Sequence, residues 1–452
     1  MLITANIILC VIISLFIAAL IYASLREQER RAAVISSFVL LINLAFWFFL
    51  IDCRHIKEIR LINIIILMFL AVFTVISFVK RFPEKQPVET EGIEQFDERD
   101  HMFARNNLQF FPELGRRYYK TNPDKKRVDT EIHSLPELTE KDSKFFDELF
   151  SPFVAAIDSF TSATAGASSS PPSKSKLPTR KQKITDLLIN AAGYLGAADV
   201  GVAEVKYYHL YSHAGRQAKD WGQRIENNHR YALVILLPMS MEMIKRAPTL
   251  PVIIESTKQY AEAARIVHII TNFIKRLGYD ARAHFDAHYE VACVPLARDS
   301  GLGTVGRMGI LIHPVFGPCI RLAAITTDLE LVPTKIKDHH IEEFCDICRK
   351  CAVNCPSRSI ESKSKAESRG FHHWFIDQER CYRYWKKTGT DCAFCIRVCP
   401  YTKPNTFIHK LVRCYISRNP LNQRIALLFD DLLYGRKIKI PKSNPNREKM
   451  LS

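Results

Sequence analysis

Eight of the thirteen cysteines crowd into residues 345–399. In FCDICRKCAVNCP, at residues 344–356, four of them follow the spacing C-x2-C-x2-C-x3-C-P. A second group, DCAFCIRVCP at residues 391–400, repeats the C-x3-C-P ending. Thiolates at this spacing bind iron–sulfur cubes, and the cysteine ahead of the proline reaches the neighbouring cluster. The two groups therefore predict two [4Fe–4S] clusters, which transfer single electrons.

Each cluster needs four ligands, and the second group supplies only three thiols before its proline. The missing ligand is predicted to be Cys381, in ERCYRYWKKTGTDC. We predict one cluster on Cys345, Cys348, Cys351 and Cys399, and the other on Cys355, Cys381, Cys392 and Cys395. Zinc is the alternative, but it favours pairs of C-x-x-C in closed tetrahedral sites. The two C-x3-C-P endings favour iron–sulfur.

A glycine-rich stretch, GLGTVG at residues 301–306, fits the pattern G-x-G-x-x-G. A dinucleotide site would need a strand before this stretch and a helix after it. The residues that follow, RMGILIHPVF, are instead apolar and typical of a strand. Gly301, Gly303 and Gly306 therefore indicate either a close approach of the backbone to a flat or bulky ligand, or a tight turn between strands.

Three N-terminal segments, residues 1–25, 32–51 and 61–79, carry no charged side chain. About 20 helical residues cross a hydrocarbon core roughly 30 Å thick. The first segment lacks the basic start and the cleavage site of a signal peptide. Residues 1–82 are therefore predicted to form three transmembrane helices of a multi-pass protein of the cell membrane.

The short loops predict the orientation of these helices. Six Lys and Arg residues lie after the first and third spans, against three between the second and third. This bias predicts that residues 80–452 lie in the cytoplasm, where free thiolates also persist. The net charge of +16 fits an anionic lipid surface. The sequence has no basic helix with interleaved aromatic residues, so it does not predict a nucleic acid partner.

The remaining chain is predicted to be α+β in class. Residues 83–182 form a polar soluble segment, with a Ser/Pro-rich linker or surface loop at 161–181. Residues 183–340 alternate between helix and strand patterns, including a buried strand at 231–237 and a helix from about Thr257 to Leu277. Residues 341–410 form a ferredoxin-type domain, and residues 411–452 a basic tail.

Several stretches of the chain resemble the reductive dehalogenases. LARDSGLGTVGRMGILIHPVFGPCIRLAAITTDLELVP, at residues 296–333, is similar to the corrinoid-binding signature of that family. The family's N-terminal segment resembles DERDHMFAR at 97–105 and YYKTNPDKKRVD at 118–129. Further similarity lies in HRYALVILLPMSMEMIKRAPT at 229–249 and WFIDQERCYRYW at 374–385. Epoxyqueuosine reductase is a more distant resemblance.

The resemblance implies a nitroreductase-like domain that binds cobalamin base-off and receives electrons from the two clusters. Gly301, Gly303, Gly306 and Arg307 then become the candidate corrinoid-binding residues. A tyrosine of the family protonates the carbanion left when halide departs, and Tyr260 matches its position. Arg321 is the candidate cation beside it. The family tends to have two basic residues in the segment GPCIRL, and Cys319 replaces the first of them.

These implications predict a membrane-anchored oxidoreductase that acts on a small organohalide. The predicted electron donor is reduced ferredoxin, a flavoprotein or a quinol-linked protein, and membrane lipid is the other partner. The chain lacks the family's twin-arginine export signal, since Arg30 and Arg31 lie between two membrane spans. Two alternatives remain. One is a corrinoid enzyme that reduces a modified nucleoside, and the other is a corrinoid-free relay of electrons at the membrane.

Overall fold

The computed structural model describes residues 2–82 and 92–451. The chain divides into two units, Met1–Pro87 with Pro404–Ile438 and Val88–Lys403 with Lys439–Ser452. In chain order the helices are α1 (Leu2–Arg26), α2 (Arg30–Asp52), α3 (Lys57–Phe78), α4 (Met102–Asn107), α5 (Pro112–Thr121), α6 (Pro123–His133), α7 (Phe150–Ala163), α8 (Lys181–Tyr194), α9 (Met241–Ile244), α10 (Pro251–Arg276), α11 (Cys293–Asp299), α12 (Ile341–Cys348), α13 (Lys350–Asn354), α14 (Gln378–Thr388), α15 (Phe394–Arg397), α16 (Phe407–Ile416) and α17 (Pro420–Tyr434). The strands are β1 (Asp199–Glu204), β2 (Tyr231–Pro238), β3 (Ala281–His284), β4 (Thr304–Val305), β5 (Leu311–Ile312), β6 (Ile320–Thr327), β7 (Ala366–Ser368) and β8 (Phe371–His373).

The first unit contains the three apolar helices and the helix pair α16–α17. The stretches Leu2–Arg26, Arg30–His55 and Lys57–Phe78 are each long and apolar enough to cross a membrane. Fewer than a fifth of the residues in their most apolar windows are buried within the protein. Such outward apolar surface suits hydrocarbon, because a helix satisfies its own backbone hydrogen bonds there. The prediction of three long apolar N-terminal helices is confirmed.

The second unit is built on a four-stranded antiparallel sheet with the order β1-β2-β6-β3. One face packs against α8 and α10, with Leu233 and Ile235 of β2 in that core. The other face packs against α11, with Val234 and Leu236 in a second core. Both faces of β2 are therefore buried, which explains the continuous apolar run YALVILL.

Helix α10 begins earlier than its periodicity predicted. The expected start near Thr257 is wrong, because the helix runs from Pro251 to Arg276. Pro251 occupies the first turn, where its missing N–H costs no hydrogen bond. Tyr260 is consequently the tenth residue of the helix, whereas a start near Thr257 would have placed it in the first turn.

Residues 167–180 form a surface loop fastened to the end of α10. The main-chain N–H of Ser173 donates to the carbonyl of Lys275 at 2.8 Å, and that of Leu177 donates to the carbonyl of Leu277 at 2.9 Å. Gly278 has a φ of +87°, and a Cβ there would lie 2.4 Å from the carbonyl oxygen of Ser175. The loop thus covers the C-terminal end of α10.

Candidate functional site

The four thiols predicted to hold the first cluster, called the first cysteine group from here on, surround one cavity. Cys345, Cys348, Cys351 and Cys399 line it together with the apolar walls Met308, Phe344 and Tyr401. Helix α12 ends at Cys348, and Arg349 then takes a left-handed φ of 55° before α13 begins. That turn ends the helix and lets successive sulfurs of the motif point towards a common centre. Residues far apart in sequence, Cys345 and Cys399, thus meet at one site.

Electrostatics also groups these four thiols. Burial raises the pKa of Cys399 well above its usual value, and the neighbouring Cys345, Cys348 and Cys351 raise it further. Several thiolates in one apolar cavity would repel one another, and metal binding relieves both the repulsion and the desolvation. Metal-bound thiolates are therefore the form that this donor set favours.

The second cysteine group is the predicted second ligand set, Cys355, Cys381, Cys392 and Cys395. Its members come from the end of α13, from α14, and from α15 with the residues before it. Burial raises the pKa of Cys395 well above its usual value, and the next causes are Cys392, Cys381 and Cys355. Cys392 and the following Ala393 have left-handed φ angles of 54° and 48°. All thirteen cysteines are free thiols. Eight neighbouring thiols fit two iron–sulfur clusters, and the division between the clusters stays a prediction, because Cys395 acts on Cys351 more strongly than Cys348 does.

Arg307 lies against the first cysteine group, and its side chain is 1% exposed. Its Nε donates to the carbonyl of Cys345 at 3.2 Å, and its Nη1 donates to the carbonyls of Glu361 and Lys363 at 3.1 and 2.7 Å. The guanidinium also lies 4.8 Å from the centre of the Trp374 ring. Its donors are engaged by main-chain carbonyls of residues 345–363, and its predicted contact with a corrinoid stays a prediction.

The glycine-rich stretch contains the short hairpin of β4 and β5. A Cβ at Gly303 would lie 2.4 Å from the carbonyl oxygen of Ile312, and one at Gly306 would lie 2.3 Å from the Ile312 side chain. At Gly301, where φ is +81°, a Cβ would lie 3.3 Å from Thr334. The chain itself fills the space beside these glycines. Their requirement is thus explained by a tight turn between strands.

Tyr260 and Arg321 are brought together by α10 and β6. The Arg321 guanidinium carbon lies 5.1 Å from the centre of the Tyr260 ring. Burial raises the pKa of Tyr260 to about 12, and the charge of Arg321 opposes that rise. The phenol is therefore protonated at neutral pH and has a cation at its side that stabilises the phenolate once a proton leaves.

Arg321 is held by two residues that sequence reasoning missed. Its Nη2 donates to Ser256 Oγ at 2.6 Å and to Asp391 Oδ2 at 2.9 Å. The Ser256 hydroxyl also donates to Asp391. Ser256 lies one turn before Tyr260 on α10, and Asp391 immediately precedes Cys392. Adjacency to a cluster ligand is the one sequence signal that could have singled out Asp391.

Tyr289 interacts with Tyr260. Burial raises the pKa of Tyr289 well above its usual value, and the charges of Cys293, Asp286, Tyr260 and Tyr211 raise it further. Among the described residues, Arg321 Nε and Asp391 Oδ1 are buried without a hydrogen-bond partner, and this fits a polar ligand there.

Cys319 stands where the family tends to have a basic residue, and it is 1% exposed. Its thiol donates to the carbonyl of Met239 at 3.5 Å, and burial raises its pKa to about 12. Arg321 is therefore the one cation of the segment GPCIRL.

His288 stacks on Phe285, with ring centres 4.8 Å apart. Burial lowers its pKa.

The chain is similar to known proteins in both its sequence and its fold. Residues 344–403 match the family of the 4Fe-4S dicluster domain. The tetrachloroethene reductive dehalogenase of Sulfurospirillum multivorans is 34% identical over 224 residues, which are 48% of this chain and 44% of that protein. The chain thus matches less than half of that relative's length.

Two solved structures share the fold. A reductive dehalogenase structure described as suggesting a mechanism for B12-dependent dehalogenation is 22% identical, with a TM-score of 0.66 over 80% of this chain and 50% of that one. A catabolic reductive dehalogenase in complex with 3-bromo-4-hydroxybenzoic acid has a TM-score of 0.64 at 22% identity, over 79% of this chain and 49% of that one. The expected fold, with its 4Fe-4S dicluster domain, and the resemblance to reductive dehalogenases are confirmed.

Proposed function

We propose that this chain is a membrane-anchored reductive dehalogenase that removes halogen from a small organic molecule. The observation that carries the proposal is the Tyr260–Arg321 pair, which Asp391 connects to the neighbouring Cys392. A carbon–halogen bond is replaced by a carbon–hydrogen bond at the cost of two electrons and one proton, and halide leaves. Two clusters provide a path for single electrons, and Tyr260 provides the proton.

The proposed cofactor is cobalamin, which supplies the low-potential electrons that break the carbon–halogen bond. Its support is the shared fold, together with the buried Arg321 Nε and Asp391 Oδ1, which have no hydrogen-bond partner among the described residues. Gly301, Gly303, Gly306 and Arg307 were predicted to contact it. That contact stays a prediction, and we propose Tyr260, Arg321 and Tyr289 for the substrate side of the site.

Tyr260 acts as the general acid. Its raised pKa keeps the phenol protonated at neutral pH, and Arg321 stabilises the phenolate that forms. Asp391 moderates this effect, because its carboxylate shares the guanidinium and raises the pKa of Tyr260. General acid catalysis contributes about 10² to 10⁴ in rate.

Tyr260→Phe tests this assignment. We expect the variant, reconstituted anaerobically with cobalamin, iron and sulfide, to release halide from tetrachloroethene or 3-bromo-4-hydroxybenzoic acid about 10² to 10⁴ times more slowly than wild type. Corrinoid absorption and iron content should be unchanged. Tyr279→Phe is the matched control, since this tyrosine is partly exposed and bonds to the surface loop at Leu177. Halide release by Tyr260→Phe within twofold of wild type would remove Tyr260 from the mechanism.

The same experiment separates the alternatives. A corrinoid-free relay would retain no corrinoid and release no halide, although it would pass electrons from a reduced dye. A reductase of a modified nucleoside would retain corrinoid and release no halide from either substrate. The 34% identity is to a dehalogenase, which favours the first function over both.

The proposed location is the cell membrane, with the second unit on the cytoplasmic side. The electron donor on that side would be reduced ferredoxin, a flavoprotein or a quinol-linked protein. Basic residues at the ends of the spans support this orientation. Protease added to intact spheroplasts should leave residues 92–403 uncut until the cells are lysed. Cleavage before lysis would reverse the orientation.

A further inference from the structure

We propose that α16 and α17 form a membrane-surface platform that inserts its apolar face into the lipid headgroup layer. The occupant of this face is the bilayer itself. The inference rests on the proposed membrane anchoring and goes beyond it, because it assigns a lipid-binding role to a segment more than 320 residues after the last span. The contacts within the first unit carry it.

The platform is fastened to the ends of all three apolar helices. Asn419 Nδ2 donates to the carbonyls of Ile76 and Val79, both at 3.2 Å. Asn422 Nδ2 donates to the carbonyl of Ser77 at 2.9 Å. These carbonyls lie in the last turn of α3 and at Val79, the residue that follows it, where helix carbonyls run out of intrahelical partners. The two asparagines therefore cap α3 from a distant part of the chain.

Two further contacts reach the other helices. A buried hydrogen bond joins His409 Nε2 of α16 to Glu27 Oε1, just after α1, at 2.8 Å. Arg31 Nε, at the start of α2, donates to the carbonyl of Leu432 in α17 at 3.1 Å. The end of α1, the start of α2 and the end of α3 stand at one end of an up-down-up arrangement. The platform thus lies at the membrane face where the chain leaves α3.

The orientation of α17 follows from these contacts. Its cap, Asn419, touches the end of α3, and Leu432 near its other end touches the start of α2. Thirteen residues separate them, which is about 20 Å of helix. A helix that contacts two spans at the same end of a hairpin runs across that end. Therefore α17 runs across the ends of the spans and lies parallel to the bilayer surface.

The free face of this helix is apolar. Leu421, Leu428 and Leu432 are 44%, 68% and 46% exposed, and Phe429 is 54% exposed. Their spacing, with the partly buried Ile425 between them, places them on one side of the helix. Phe407 of α16 adds a side chain that is 72% exposed. An apolar stripe of this size beside three apolar spans is continuous with the surface that lipid would cover.

Charge favours the same occupant. Residues 404–438 contain six Lys and Arg residues and two Asp residues. Within α17 itself there are one Arg and two Asp residues, so the positive charge is supplied by α16 and by the residues before and after α17. An apolar stripe next to such basic residues binds an anionic bilayer surface. These basic residues also extend the positive charge at that end of the spans.

A photocrosslinking experiment tests the platform in the full-length protein. The photoreactive residue p-benzoylphenylalanine replaces Phe429, and the holoprotein is reconstituted into vesicles of phosphatidylethanolamine and phosphatidylglycerol. After illumination, the crosslinked adducts are identified by mass spectrometry. Two matched positions accompany it. Phe48 is 72% exposed on α2, and Tyr194 is 91% exposed at the end of α8 in the second unit.

We expect lipid adducts at positions 48 and 429 and none at position 194. A lipid adduct at 48 with no adduct at 429, or with an adduct to a second copy of the chain, would overturn the platform and leave the anchoring intact. No lipid adduct at 48 would overturn both the anchoring and the platform. Equal lipid labelling at 194 and 429 would also overturn the platform, because the labelling would then be unselective.

Discussion

Arg307 should control the reduction potential of the cluster that we assign to Cys345, Cys348, Cys351 and Cys399. It is a buried cation, and it contacts the main chain of the first of these ligands. The nearest carboxylate oxygen, on Asp346, is 3.8 Å away, and the Asp346 side chain is 55% exposed. Water therefore screens that carboxylate much more than it screens the guanidinium. The net effect of Arg307 on the cluster is that of a positive charge, which favours the reduced form.

The magnitude follows from Coulomb's law. The guanidinium bonds to the ligand's carbonyl at 3.2 Å, so a distance of about 7 Å to the cluster centre is reasonable. At an effective dielectric constant of about 20, a unit charge at about 7 Å contributes about 2 kcal/mol. A tenfold change in a one-electron equilibrium is about 59 mV, or about 1.4 kcal/mol. Removal of the charge in Arg307→Gln should lower the midpoint potential of this cluster by about 100 mV.

Redox titration followed by electron paramagnetic resonance measures this shift in the anaerobically reconstituted protein. Arg307→Lys is one control, since it keeps the charge and should shift the potential by much less. Arg349→Gln is the second control, because Arg349 lines the same cavity but is exposed to solvent. Iron content shows that each variant holds its clusters. An unchanged or higher potential in Arg307→Gln, with full iron content, would refute the electrostatic reasoning.

Three further predictions address the ligands, the general acid and the fold. Cys348→Ser should lose one cluster and keep about half of the iron, and a full complement of iron would contradict the ligand assignment. Asp391→Asn removes a carboxylate that raises the pKa of Tyr260. The protonated phenol should then be lost at lower pH, so the alkaline limb of the pH profile of halide release should move down in pH. An upward shift or no shift would contradict the proposed coupling. Gly317→Ala should destabilise the protein by about 1–3 kcal/mol, because φ is +60° and a Cβ would lie 2.4 Å from a main-chain oxygen. Gly193→Ala, with nothing within 4 Å of its Cβ, is the control, and equal melting temperatures for the two variants would count against this account.

Sequence reasoning succeeded where short-range spacing determines the structure. The cysteine motif depends on spacings of two and three residues, and residues 344–403 match the 4Fe-4S dicluster domain. The apolar helices could be predicted because length and composition alone decide whether a helix suits a membrane. The start of α10 could not be placed so well, because buried Val252, Ile253 and Ile254 weaken the helical periodicity in its first turns.

Long-range packing explains what the sequence did not indicate. The glycine-rich stretch was read as a ligand contact or a tight turn, and only the position of Ile312 shows that the chain fills the space. Residues 411–452 were described as a basic tail, yet most of α16 and all of α17 lie in that range. Asn419 before Pro420 is a helix start signal. The partners that fix its position, the carbonyls at the end of α3, lie more than 300 residues earlier.

The network around Arg321 connects the proton and electron sides of the proposed reaction through one short segment. Asp391 holds the guanidinium on one side, and its neighbour Cys392 belongs to the second cysteine group. A displacement of this segment therefore moves the cation beside Tyr260 and a cluster ligand together. Ser256 fixes the other side of the same guanidinium from α10, one turn before Tyr260. Arg321 is the charge that lowers the pKa of Tyr260 most, and Asp391 opposes it, as does Asp286. The Asp391→Asn variant should for that reason change the pH dependence of halide release more than Ser256→Ala, which removes a hydrogen bond and leaves both charges in place.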